Sequence, residues 1–237
     1  MPIPAQLQYL KKSLATYIES LYVAQIIDRK TKLQFERIFR SQKLMGYLAT
    51  GLYGPEREVS VPGVPELKFV LLSMRELDGR RFSLPVLRKT FTKSGKNSSY
   101  TCLVGHRFTP SIKKAFRLNI RELFGVYNIK EYYSGFDGAA INIIDDLREN
   151  IRRYDFCFFD NRETTAPSKP NVYIEAGMAF ALRRPFIFSH YKQEVWPADF
   201  SNTSYIPYGR YRELFQELAA RLPIILATKV KSKTGRS

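Results

Sequence analysis

The chain has 237 residues, 44% of them hydrophobic and 14% aromatic, and carries a formal charge of +16. This is enough chain to bury a core in one large domain or two modest ones, and the composition is that of an ordinary globular protein. Two lone cysteines (Cys102, Cys157) and two lone histidines (His106, His190) argue against a structural metal site, and none is expected. No apolar run approaches the roughly 18 residues of a membrane span. Met1 to Gln6 lacks the charged and apolar regions of a secretion signal, so a cytoplasmic protein without membrane contact is expected.

The charge is uneven. Residues 1–98 carry +9, residues 99–226 only +3 and residues 227–237 a further +4. The excess therefore lies outside the central region. A solvated basic surface and a nucleic-acid partner account for it equally, since no recognition-helix signature accompanies it.

From the N-terminus, Leu7, Leu10, Leu14, Ile18 and Leu21 recur at helical spacing, and no Gly or Pro interrupts Ala5 to Met45. Asp28 marks a break between two helices. Val59 to Leu84 reads as β, with Asp78-Gly79 offering a turn. Thr92 to Ser99 is polar and cationic and reads as a linker. Residues 1–98 thus form a basic, mainly helical region with a short β segment and no motif that carries chemistry.

Residues 99–226 alternate strand and helix. Strands are expected at 100–105, 129–133, 154–159 and 185–188, with a fifth at Ile224-Ile225-Leu226. Helices are expected at 111–124, 140–153, 171–183 and 211–222. Short apolar strands alternating with helices predict an α/β domain: a parallel sheet of four to five strands covered on both faces. Right-handed crossovers then gather the loops after the strands at one edge, where such sheets bind ligands. Residues 227–237 form a basic tail.

Four loops fall at that edge. Gly105-His106-Arg107-Phe108 precedes a helix whose free N–H groups suit an anion, with His106 and Arg107 placed to hold a phosphate or ribose. Gly135-Phe136-Asp137 suits close approach to a sugar or base, and Asp137 equally suits a helix N-cap. The third loop, Asp160 to Pro170, is long for such a unit and carries Arg162. It leads into Asn171 and the helix bearing Glu175, where Ala176, Gly177, Ala179 and Ala181 allow close packing. A carboxylate among such residues either complements the helix dipole or has a task that justifies its burial. The fourth loop, Ser189-His190-Tyr191-Lys192, holds nothing specific.

The pattern Asp160–loop–Pro170-Asn171-Val172–Glu175-Ala176-Gly177–Ala179–Ala181–Arg184-Pro185-Phe186-Ile187 resembles nucleoside 2-deoxyribosyltransferases. It is also similar to the TIR-like nucleotide-binding domains of bacterial defence systems. The resemblance covers roughly residues 100–190 and implies a flavodoxin-like sheet and cleavage of a bond between ribose C1′ and a base nitrogen. On it, Glu175 is the nucleophilic or charge-stabilising carboxylate, Asp160 orients base or sugar, and Gly105 belongs to the ribose-side turn. The transferases place a second carboxylate shortly before the glutamate, whereas here stand Lys169 and Pro170, with Arg162 in the loop. A cationic loop fits a phosphorylated ligand. The expectation is therefore an N-glycosyl hydrolase acting on NAD or a related nucleotide as substrate, without a further cofactor and as a homo-oligomer in antiviral defence. The rivals are a deoxyribosyltransferase, a non-catalytic nucleotide sensor or interaction module, and a nucleic-acid-associated protein acting through the basic N-terminal region.

Overall fold

A computed structural model describes residues 28–40, 58–61, 64–89, 99–106, 110–134, 143–162, 171–192 and 205–234, together with Ala15, Ile18, Glu19, Tyr22 and Val23. Residues 92–98 of the expected linker 92–99, the Gly135–Asp137 turn and residues 163–170 lie outside them. Contacts divide the chain into two compact units. One comprises Met1–Ser73, Ser83–Ser94 and Leu218–Ser237, the other Met74–Phe82 and Gly95–Glu217.

In the first unit, helix α1 (Arg29–Arg40) starts where the sequence marks a break. Asp28 is its N-cap, accepting the Thr31 N–H on Oδ1 at 2.7 Å while its own carbonyl takes the Lys32 N–H. Strands β1 (Glu58–Val61), β2 (Val64–Arg75) and β3 (Arg81–Lys89) form a three-stranded sheet, so the β segment is longer than expected. The β2–β3 turn is closed by Gly79 at φ +84°, a conformation open to glycine, and by Asp78 Oδ1 accepting the Arg80 N–H.

The second unit contains β4 (Tyr100–His106), α2 (Pro110–Val126), β5 (Ile129–Tyr133), α3 (Ile143–Arg153), β6 (Phe156–Asn161), α4 (Asn171–Ala181), β7 (Phe186–Tyr191), β8 (Tyr205–Tyr208) and the start of α5 (Tyr211–Thr234). The five strands pair in parallel in the order β5-β4-β6-β7-β8, the flavodoxin-like arrangement. Every residue of β6 is buried, as befits a parallel strand covered on both faces.

The period-two alternation of β6 sorts its side chains between two cores. Phe156 and Phe158 meet Phe124 and Phe116 of α2. Cys157 and Phe159 join Ile151 of α3 and Val172, Ala176 and Ala179 of α4. Both cysteines are buried and neither forms a disulfide.

Several expectations are corrected. The fifth strand is Tyr205–Tyr208, not 224–226. Ile224 to Leu226 continue α5 past Pro223, and Leu218, Leu222 and Leu226 are all buried at a spacing of four, which is helical periodicity. Residues 189–191 are not a loop but the end of β7. Ile144 of α3 is exposed, whereas Ile151 of the same helix is buried. Ala176 and Ala179 do provide the close packing of α4, but a Cβ on Gly177 would meet nothing within 4 Å, and Ala181 is exposed. No described helix is long and apolar enough to cross a membrane.

Candidate functional site

The strand order reverses between β4 and β6, and the C-terminal ends of these strands flank the crevice where open α/β sheets bind ligands. Their register sets Gly105 beside Phe159 and His106 beside Asp160. Because neighbouring residues of a strand point to opposite faces, these two pairs lead to two different half-sites.

The first half-site lies on the α3/α4 face. Glu175 is in the second turn of α4, and the first turn holds no acid, so complementing the helix dipole does not explain it. Its Oε1 accepts the Ser134 hydroxyl at 2.9 Å. Ser134 is itself fixed to β4, donating its backbone N–H to the Val104 carbonyl at 2.9 Å. The other oxygen, Oε2, is buried with no hydrogen-bond partner. It lies directly over Gly105, where a Cβ would overlap it and would stand only 2.7 Å from Phe159 Cδ1. The glycine is therefore required by the close approach of the carboxylate and not by a special φ. Burial pushes the Glu175 carboxyl up to about 7, against a smaller opposing effect of the Ser134 bond.

The second half-site lies on the α2/α5 face. Asp160 is 0% exposed, and both its oxygens are engaged: Oδ1 accepts the Ser189 hydroxyl at 2.5 Å and Oδ2 the Tyr208 hydroxyl at 3.1 Å. Burial raises its carboxyl to about 6, opposed by those two bonds and by the charge of Arg162. Arg162 holds its guanidinium over the rings of Tyr191, Tyr208 and Tyr211. His106, expected in a ligand-facing loop, is instead a 2%-exposed residue of β4. Its ring packs against Phe116 and Tyr133, and its Nε2 accepts a bond from Arg117 Nε at 3.1 Å, which puts the proton of a neutral ring on Nδ1.

The structure thus brings Gly105 and Glu175 together and adds Ser134, but it places Asp160, Arg162 and His106 on the opposite face. Asn171 is the exposed first residue of α4. Arg107, Phe108, Gly135, Phe136 and Asp137 lie outside the described residues. Sequence reasoning missed Ser134 as a site residue, although it immediately follows β5 at the functional edge. It also missed Tyr208, where Pro207 was an available sign of an edge strand. A surface depression of about 600 Å³ lined by Phe180, Arg183, Arg184 and Pro185 lies at the start of β7, the other end of the sheet from both half-sites. Among the described residues no group of His, Cys, Asp and Glu could hold a metal ion.

No family model matches the chain, and no curated protein matches it. The class is accordingly the one that fold and site define: a flavodoxin-like α/β domain with a helix-borne carboxylate, one oxygen of it buried and unpartnered, at the C-terminal edge of its parallel sheet.

Proposed function

We propose that the domain cleaves the N-glycosidic bond of NAD or a related nucleotide, with Glu175 facing the sugar carbon that loses the base. The observation that carries this reading is the Oε2 atom of Glu175, buried and without a partner over a glycine at a ligand-binding edge. An underpaired carboxylate with a raised pKa is complementary to positive charge. When the C1′–N bond breaks, its electron pair leaves with the base and positive charge remains on the ribose, where the carboxylate stabilises or captures it. Water then adds to C1′ and a proton is released, giving free base and a sugar hydroxyl. For NAD the nicotinamide departs neutral, so no general acid is required.

The transferase reading is less well supported, because among the described residues the second acid at this edge, Asp160, lies on the opposite face with both oxygens engaged. The test follows free base by chromatography after incubation with NAD and a panel of nucleosides and nucleotides, wild type beside Glu175→Gln. Release that disappears in the variant supports the reading. Nucleotide binding without release from any substrate overturns it in favour of a sensor.

Ser134 is a positioning residue within the same reading. Its hydroxyl favours the ionised form of Glu175, so Ser134→Ala is expected to move the acidic limb of the kcat/KM profile towards higher pH. Ser134→Thr keeps the hydroxyl and should restore the limb. An alanine variant whose pH profile matches wild type would remove Ser134 from the mechanism.

A further inference from the structure

On the α2/α5 face, Arg162 at the functional edge has donors that no described residue uses. Arg162 directly follows β6, with its guanidinium carbon 4.5 Å from the centre of the Tyr191 ring, 5.2 Å from that of Tyr211 and 5.8 Å from that of Tyr208. Contact with rings holds a cation in place but consumes none of its N–H donors. Its Nε is buried with no hydrogen-bond partner, and Arg162 makes no ion pair among the described residues. The nearby carboxylate of Asp160 is already engaged by Ser189 and Tyr208. The Tyr211 hydroxyl is also buried and without a partner.

The N-terminus of α5 is not the free receptor in this corner. Glu76 occupies it, its carboxylate accepting the Tyr211 N–H at 2.9 Å and the Arg212 N–H at 3.1 Å. Among the described residues of this corner, that leaves the fork of Arg162 with capacity for an incoming oxyanion.

We propose that Arg162, held on the three tyrosine rings, is the phosphate site of the ligand and selects nucleotides over nucleosides. The alternation along β6 puts this cage on one face of the sheet and Glu175 on the other. A ligand engaging both reaches across the end of β6, with its sugar at Glu175 and its phosphate at Arg162. The sugar placement rests on the function proposed above; the anion site does not.

Calorimetric titration of the full chain tests this, in the Glu175→Gln background so that no ligand is consumed. The probes are AMP, adenosine and inorganic pyrophosphate. The protein with Arg162 intact should bind AMP more tightly than adenosine, and Arg162→Gln should weaken AMP by about 10- to 100-fold while leaving adenosine unchanged. Arg162→Lys keeps the charge without the fork and should fall between. Equal AMP affinity in Arg162→Gln and its parent, each with the same thermal midpoint, overturns the proposal. Arg162-dependent binding of pyrophosphate with none of AMP overturns the nucleotide assignment. Arg162-dependent AMP binding in a protein that releases base from no substrate sustains the anion site and refutes only the glycosidic reading.

Discussion

Glu175→Gln is expected to lower base release by about 10³-fold or more while making the folded protein more stable at alkaline pH. The first effect follows from removing the charge that meets the developing cation, for which an amide of the same shape is no substitute. The second comes from proton linkage. The carboxyl titrates at about 7 in the folded protein against 4.5 as the ordinary value, with burial as the main cause. The folded state therefore holds this proton more tightly than the unfolded chain does. Its contribution to stability is complete below about 4.5 and is lost as pH rises through about 7. Above that, wild type bears a cost of about 1–3 kcal/mol that the glutamine variant does not.

Thermal unfolding of both proteins at pH 5.5 and about pH 8.5 checks the linkage. The variant should gain several degrees relative to wild type at the higher pH and much less at the lower. Asp160 has a shift of the same sign, at about 6 against 3.8, and it remains in the variant, so some pH dependence should persist there. In wild type, kcat/KM should rise with pH through about 7 as Glu175 ionises. A variant no more stable than wild type at alkaline pH, or a profile flat across neutrality, would show that the carboxylate is neither strained by burial nor used in ionised form.

Gly105→Ala should be nearly as damaging to activity, and it should destabilise where Glu175→Gln stabilises. The added methyl collides with Glu175 Oε2 and comes within 2.7 Å of the Phe159 ring, a residue buried in the core beneath α4. The carboxylate can swing aside, but the ring has no free volume to enter, so overpacking should cost about 1–3 kcal/mol. Activity should fall at least about 10²-fold because the carboxylate is displaced from its position. Combining the two substitutions separates these effects. Glu175→Gln in the Gly105→Ala background should cost little further activity, since the carboxylate is already out of place. Full activity and an unchanged midpoint in Gly105→Ala would mean that Glu175 does not lie over this glycine.

Much of the α/β unit was legible in the residues because its signals are local. Helix α3 and strand β5 each bury a face at the period of their own backbone, and β4 and β6 are short apolar runs buried on both faces, so the apolar pattern suffices to place them within a residue or three. The break at Asp28 and the turn at Asp78-Gly79 were readable for the same reason, since each side chain or φ acts within a few residues of itself. Strand β8 was not. Its four residues, Tyr205-Ile206-Pro207-Tyr208, have no pattern of their own and become a strand only by pairing with β7. The apolar triplet after Pro223 carried the opposite ambiguity, three residues being too few to separate a period of two from one of 3.6.

The sequence by itself determined the fold class and the presence of an acid on the helix after β6, because hydrophobic periodicity and residue order are properties of the chain alone. Only the tertiary structure decided which candidates share a site. Glu175 meets Gly105 and Ser134 across three separate elements, while Asp160, Arg162 and His106 fall to the other face. The physical reason is the pleat: adjacent residues of a strand point to opposite sides of the sheet, so closeness in sequence at the end of β4 or β6 separates side chains rather than joining them. Burial likewise belongs to the folded state, and it is burial that leaves one oxygen of Glu175 without a partner and raises its pKa to neutrality.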